Sequence, residues 1–193
     1  TTSSAQFNNP CVGQTGSADG TTHLWMGSAS AVPRSLTSVP LDLSSGGSIS
    51  FDMVYSIQGA NAPCEGPDLP SEGVYLQYSL DGGLTWVTID YWDPLGGNDP
   101  TLTSWNNYAI PIPPAANQAN VLIRWIQTAD SNAGYDHWGL DNIEIQVAQP
   151  GNFSWNVSSS TDSSITYTPV SSGPVTVTYD NGSVPCQATV NIT

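Results

Sequence analysis

The chain has 193 residues, of which two are basic, Arg34 and Arg124, and sixteen are acidic, for a net charge of −14. Such a chain cannot displace counterions from nucleic-acid phosphates or hold to an anionic lipid surface, and no apolar run approaches the ~18 residues that suggest a membrane-spanning helix. With charged residues at only 9%, Ser, Thr, Asn, Gly and Pro supply most of the polarity, the texture of secreted β-proteins.

In chain order the expected strands are Leu24–Met26, Ser38–Leu43, Ser48–Ile57, Val74–Ser79, Thr85–Tyr91, Trp105–Ile110, Val121–Gln127 and Trp138–Val147. The clearest is Val74–Ser79, where Val74, Leu76 and Tyr78 alternate with Tyr75, Gln77 and Ser79 in the period of two that a half-buried strand requires. Asp81-Gly82-Gly83 follows, a turn whose residues tolerate φ > 0, and Leu84, Trp86 and Ile89 resume the strand to close a hairpin. No window is convincingly helical; Ala115–Ala119 has room for one helical turn behind Pro111, Pro113 and Pro114. The turn signals are spaced as in a sandwich or jelly roll. Two long loops, Gln58–Gly73 and Asp93–Thr103, stand out as candidate functional or metal-fixed segments.

At Ala148-Gln149-Pro150-Gly151 the texture changes, dividing the chain into a β-domain over 1–148 and a Ser/Thr-rich unit over 149–193. The second has expected strands at Phe153–Val157, Ser164–Thr168, Pro174–Tyr179 and Ala188–Ile192 and reads as part of an Ig-like module, being short beside the ~100 residues of a complete one. The fold class is therefore all-β: a jelly-roll β-sandwich followed by a small, incomplete Ig-like β-unit. Each Asn of this tail (Asn152, Asn156, Asn181 and Asn191) begins an Asn-x-Ser/Thr triplet, and no earlier Asn does. That is either chance in a Ser/Thr-rich segment or the mark of an N-glycosylated stalk.

Of the three cysteines, Cys11 and Cys64 share the first domain and lie in turn-rich contexts, so a Cys11–Cys64 disulfide is expected. Cys186 is then left over, to pair beyond this chain. With no Cys-x-x-Cys, and with His23 and His137 far apart, a zinc site is not expected. The polar opening Thr1-Thr2-Ser3-Ser4 suits a processed, secreted N-terminus and equally a fragment of something longer.

Several motifs together resemble the reelin-repeat jelly roll, found in the matrix protein reelin and in large bacterial surface proteins. They are Thr22-His23-Leu24-Trp25-Met26-Gly27, Pro40-Leu41-Asp42-Leu43, Ile49–Met53 followed by Cys64-Glu65-Gly66-Pro67, Val74–Trp86, Arg124-Trp125, and Asp136-His137-Trp138-Gly139-Leu140-Asp141-Asn142-Ile143. In the last, His137 stands for the family's Gln and Gly139 for its Ala. The resemblance covers most of the first domain and lacks the family's EGF-like insert, which implies one jelly roll and not a full repeat.

The resemblance implies a calcium-stabilised module with no catalytic role. Ca2+ takes six to eight hard oxygen ligands. The first long loop offers Glu65, Asp68 and Glu72, and the last strand offers Asp141, which ranks first by position; Asp19 and Asp52 rank lower. The alternative for Asp141 is a turn cap bonded to backbone amides.

Three functions compete. Carbohydrate binding is suggested by aromatics beside Asn and Asp: Tyr91-Trp92-Asp93, Trp105-Asn106-Asn107-Tyr108 and Tyr135-Asp136-His137-Trp138, with Trp92 the expected exposed ring and Trp86, Trp125 and Trp138 expected in or near the core. The candidate ligand-binding residues are thus Trp92, Asp93, Trp105, Tyr135, Asp136 and His137. Catalysis is disfavoured: Asp90/Asp93 and Asp136/Asp141 are pairs that sixteen acids make inevitable, no Gly-x-Ser-x-Gly elbow exists, and His137 is the single tempting base. A secreted, cell-surface adhesion or matrix module binding a glycan or extracellular protein is the expected function. The alternative is a structural subunit of an extracellular filament or pilus, its tail completed by a strand from a neighbouring copy, although Thr1–Phe7 is too polar to be an obvious donor.

Overall fold

The computed structural model describes the chain apart from Ser4, residues 9–15, 28–31 and 58–63, Asn98, residues 149–151 and 162–164, Tyr167, residues 169–170 and 181–185, and Thr193. Cys11 and Asn181 lie outside the described residues. The chain divides into two compact units, Thr1–Val147 and Ala148–Thr193.

Among the described residues the first unit contains ten strands: β1 (Thr2–Ser3), β2 (Ala5–Phe7), β3 (Leu24–Met26), β4 (Arg34–Thr37), β5 (Gly47–Tyr55), β6 (Val74–Ser79), β7 (Val87–Trp92), β8 (Asn106–Pro111), β9 (Leu122–Gln127) and β10 (Trp138–Val147), with a 3₁₀ turn at Pro114–Ala116. They form two five-stranded sheets, ordered β1-β4-β9-β6-β7 and β2-β3-β10-β5-β8, with every pairing antiparallel. Successive strands from β3 to β6 alternate between the sheets, as in a jelly roll.

The core lies between the sheets. From one come Leu76, Ile123 and Trp125, from the other Met26, Ile49, Phe51, Met53 and Trp138, all fully buried. Phe51 is the hinge of this packing: its ring meets Trp125 edge-on at 5.2 Å and Trp92 edge-on at 5.5 Å, and stacks on Tyr108 at 5.5 Å.

The strand expected at Ser38–Leu43 is displaced. Pairing runs over Arg34–Thr37, and beyond it Leu41 makes only an isolated bridge to Val121. Pro40 has no N–H to extend a ladder, and Asp42 Oδ1 accepts from the Ser44 amide at 3.1 Å, turning the chain. β4 is hidden in the sequence because an arginine occupies one of its inward positions. The Asp81 turn forms as expected, with φ of 73° at Gly82 and 94° at Gly83; Asp81 accepts from the Thr85 amide and the Ser79 hydroxyl, and these bonds with that of the Thr85 hydroxyl hold it well below the usual carboxylate range.

In the second unit the described residues form a three-stranded antiparallel sheet of β11 (Asn152–Trp155), β12 (Gly173–Asp180) and β13 (Cys186–Ile192). Its register puts Phe153, Trp155, Val175, Val177, Tyr179, Ala188, Val190 and Ile192 on one face and Ser154, Thr176, Thr178, Gln187, Thr189 and Asn191 on the other. The expected strand at Ser164–Thr168 falls partly outside the described residues. No helix among the described residues is long and apolar enough to cross a membrane.

Candidate functional site

A buried polar network joins the two inward-facing polar residues of β4 and β9. Arg34 pairs in register with Gln127. Its Nη1 donates to Gln127 Oε1 at 2.9 Å and to the carbonyls of Tyr135 at 2.7 Å and Asp136 at 3.0 Å, and its Nη2 donates to Asp130 Oδ2 at 2.8 Å. Gln127 Nε2 donates to the carbonyls of Glu72 at 2.7 Å and Asp136 at 3.1 Å, and Trp138 Nε1 donates to Gln127 Oε1 at 3.1 Å. A buried guanidinium requires this degree of satisfaction. The network also clamps the end of the Gln58–Gly73 loop to the loop 130–137.

Where those loops meet, Asp68, Glu72 and Asp136 bring carboxylate oxygens within 4.8 Å of one another. Glu72 Oε2 accepts from the amides of Asp68 at 3.1 Å and Leu69 at 2.9 Å, and Oε1 accepts from Ser131 Oγ at 2.9 Å. Burial opposes its charge, yet these donors prevail and hold Glu72 below its ordinary value. Asp136, 1% exposed and held at a φ of 58°, accepts from the Ser131 amide at 2.5 Å. Burial, reinforced by the charges of Glu72 and Asp130, pushes its carboxyl up to about 7, against the Ser131 amide and Arg34. Asp68 is also raised, by burial first and then by its hydrogen bond with Glu72 and the charges of Glu72 and Glu65. Three carboxylates thus share one place with Arg34 the cation beside them.

The structure sorts the expected metal ligands. Asp68 and Glu72 come together; Glu65 is close enough for its charge to act on Asp68, and its carbonyl accepts from the His137 amide at 2.9 Å. Asp141 stands apart from this group. Its Oδ2 accepts from the Ala18 amide at 3.0 Å and its Oδ1 from the Asn142 amide at 2.9 Å, the backbone-capping alternative for this residue. Beside it, Asp52 accepts from Asn142 Nδ2 at 2.7 Å and Asn107 Nδ2 at 3.0 Å, and Asp19 accepts from the Thr21 amide at 2.8 Å. Asp136, expected among the sugar-binding residues, is instead the third member of the carboxylate group. Its place is set by loop contacts that no sequence spacing encodes.

Of the six expected sugar-binding residues, Trp92, Asp136 and His137 are buried. Trp92, expected to be exposed, is 8% exposed; it ends β7 opposite the inward-facing Val74 and packs on Phe51 and Tyr108. His137 is buried, with Nδ1 accepting from Trp25 Nε1 at 2.8 Å and Nε2 against the Gly134 carbonyl at 2.8 Å, so the ring orients its loop. Trp105 packs edge-on against His23 at 5.5 Å and donates Nε1 to the Gly16 carbonyl. Tyr135 and Asp93 are half-buried. Cys64 is disulfide-bonded and Cys186 carries a free thiol, while Cys11 lies outside the described residues. Asn156 and Asn191 are exposed. Asn156 Oδ1 accepts from the Thr176 amide at 2.9 Å.

Among solved structures, the chain is similar to the K2 cleaved adhesin domain of Lys-gingipain, at 12% identity over 75% of this chain and 89% of that one, with a TM-score of 0.44. It is also similar to a carbohydrate-binding module characterised for specific mannan recognition, at 12% identity over 75% of this chain and 84% of that one, with a TM-score of 0.32. The family model described as reelin subrepeat B matches residues 5–146, essentially the whole two-sheet unit, and the chain belongs to the reelin subrepeat B family.

Proposed function

We propose that this chain is a secreted, calcium-stabilised, non-catalytic adhesion or matrix module that works at the cell surface through a glycan or extracellular protein partner. The observation that carries the calcium reading is the group of Asp68, Glu72 and Asp136. Its donors are all hard oxygens, as Ca2+ requires, without the sulfur or nitrogen that zinc favours. Two of its three carboxyls are pushed up by burial and by one another, so a divalent cation would relieve a repulsion that Arg34 offsets only in part. Asp68, Glu72 and Asp136 would hold the ion, which would tie the two loops together. Membership of the reelin subrepeat B family supports the adhesion reading, and a disulfide-bonded Cys64 supports an oxidising, extracellular setting. Asn152, Asn156, Asn181 and Asn191 are the proposed glycan acceptors of the tail.

Thermal unfolding with calcium and with EDTA tests this on wild type, Asp136→Asn and Asp141→Ala. A metal that binds only the folded chain raises the midpoint. The expected rise is abolished by Asp136→Asn and survives Asp141→Ala. No calcium-dependent rise in wild type would sink the calcium assignment.

The second reading, a filament subunit, is favoured by the apolar face of the β11-β12-β13 sheet, where Val190 is 63% exposed. Sedimentation velocity distinguishes the two: a subunit assembles with rising concentration, and an adhesion module stays monomeric.

A further inference from the structure

Arg124 and Arg34 are the only basic side chains of the sequence, and Arg34 is fully buried in its ion pair with Asp130. Arg124 is therefore the one basic side chain at the surface of a chain with sixteen acidic residues, yet it makes no ion pair with any described carboxylate. Its Nε donates to Gln77 Oε1 at 2.9 Å, and its guanidinium lies 3.8 Å over the ring of Trp86. The Nη1 and Nη2 hydrogens donate to no acceptor among the described residues. Partial burial moves its pKa down, and no nearby carboxylate opposes that shift.

The setting is built, not loose. Val74, Leu76 and Tyr78 of β6 face the core, so Tyr75 and Gln77 face outward. In register beside them stand Tyr91 and Thr88 of β7 and Arg124 of β9. Gln77 Nε2 donates to Thr88 Oγ1 at 3.2 Å, completing a cross-strand row Arg124–Gln77–Thr88. Tyr75 and Tyr91 pack with centroids 4.2 Å apart, and Trp86 is fixed by its Nε1 bond to the Gly83 carbonyl at 3.0 Å. One face of one sheet thus presents a charged fork with open donors, a row of amide and hydroxyl groups, and aromatic rings.

We propose that the outer face of the β1-β4-β9-β6-β7 sheet, centred on Arg124 with Gln77, Thr88, Trp86 and Tyr75, binds a carboxylate-bearing sugar. This deepens, and rests on, the glycan-binding form of the proposed function. The open guanidinium fork matches a carboxylate in a bidentate pair, Gln77 and Thr88 suit sugar hydroxyls, and the rings suit the apolar face of a pyranose. A neutral glycan would leave that fork unanswered. A long polyanion would need more than one cation against a net charge of −14. An acidic peptide would call for apolar pockets between the strands, where this face carries amides and hydroxyls.

Isothermal titration calorimetry on the whole chain, with calcium held constant, tests the proposal. The probes are trigalacturonate and its methyl ester, sialyllactose and lactose, and a neutral mannan oligosaccharide. At least one carboxylated sugar is expected to bind roughly tenfold or more tightly than its uncharged counterpart, in line with one charge-assisted hydrogen-bonded contact, and to weaken as salt rises. The two acids distinguish a uronate from a sialate. Arg124→Gln should remove that preference; the ester and lactose comparisons test it on wild type, whatever the variant's stability. Equal binding of acid and neutral forms, binding of the mannan oligosaccharide alone, or an acid preference that survives Arg124→Gln overturns the proposal and leaves the glycan-binding reading in place. No binding of any probe overturns both.

Discussion

The fully buried guanidinium of Arg34 donates to Asp130 Oδ2 at 2.8 Å while its other terminal nitrogen donates to Gln127 Oε1 at 2.9 Å. One side chain thereby ties β4, β9 and the loop 130–137 into a single polar knot between two apolar sheets. Arg34→Ala would take from Asp130 its counter-charge and from Gln127 Oε1 one of its two donors, leaving the bond from Trp138 Nε1. Removing one partner of such a pair costs about 3–5 kcal/mol, read as a lower denaturant midpoint at unchanged slope. Arg34→Lys should recover little of the loss, because an ammonium cannot span the same acceptors.

Asp136 makes stability pH-dependent in EDTA. Its folded pKa, about 7, lies above the unfolded value of an aspartate. Its contribution is therefore fully present below the unfolded pKa and is lost as pH rises through about 7. The thermal midpoint in EDTA should fall between about pH 4 and pH 7, less steeply in Asp136→Asn. A wild-type profile as flat as that of the variant would contradict the burial assigned to this carboxyl.

Phe51 contacts Trp92, Tyr108 and Trp125 and is fully buried. Phe51→Ala opens a cavity between the sheets and should cost about 3–5 kcal/mol. Chemical denaturation of residues 1–148 measures it, and Phe51→Leu should cost distinctly less.

Gly66 fills a place no side chain can share: a Cβ there would stand 1.8 Å from the Ser56 carbonyl oxygen. Gly66→Ala must push the loop away from β5. We expect a lower thermal midpoint and, because the loop carries Asp68 and Glu72, a weaker response to calcium.

Trypsin has two target bonds in the whole sequence, after Arg34 and after Arg124. Both lie in strands paired on either edge, β4 between β1 and β9, and β9 between β4 and β6. Cleavage of the native chain should thus require opening of that sheet, and its rate should follow global stability across the variants above. Rapid nicking under native conditions would show that the sheet opens locally.

The strands at Val74–Ser79 and Trp138–Val147 occupy the bounds their alternation predicts, and the Asp81-Gly82-Gly83 turn closes the hairpin it encodes. These are local matters: side chains alternate across a strand, and glycine tolerates φ > 0, whatever the rest of the chain does. The all-β class and the change of texture near residue 148 are legible for the same reason. The site was legible only in its materials. Asp68 and Glu72 share one loop, but Asp136 joins them from 64 or more residues away, and Asp141, better placed by sequence order, is taken up by the amides of Ala18 and Asn142. Trp92 and Arg34 show the same division. A tryptophan at the edge of a polar loop reads as a surface residue, yet Trp92 faces inward, and so does Arg34, whose place the sequence leaves open. Periodicity and turn chemistry are properties of neighbouring residues and so belong to the sequence; which carboxylates meet, which cation is buried and which is left open depend on the pairing of strands far apart in the chain, which only the packed sandwich decides.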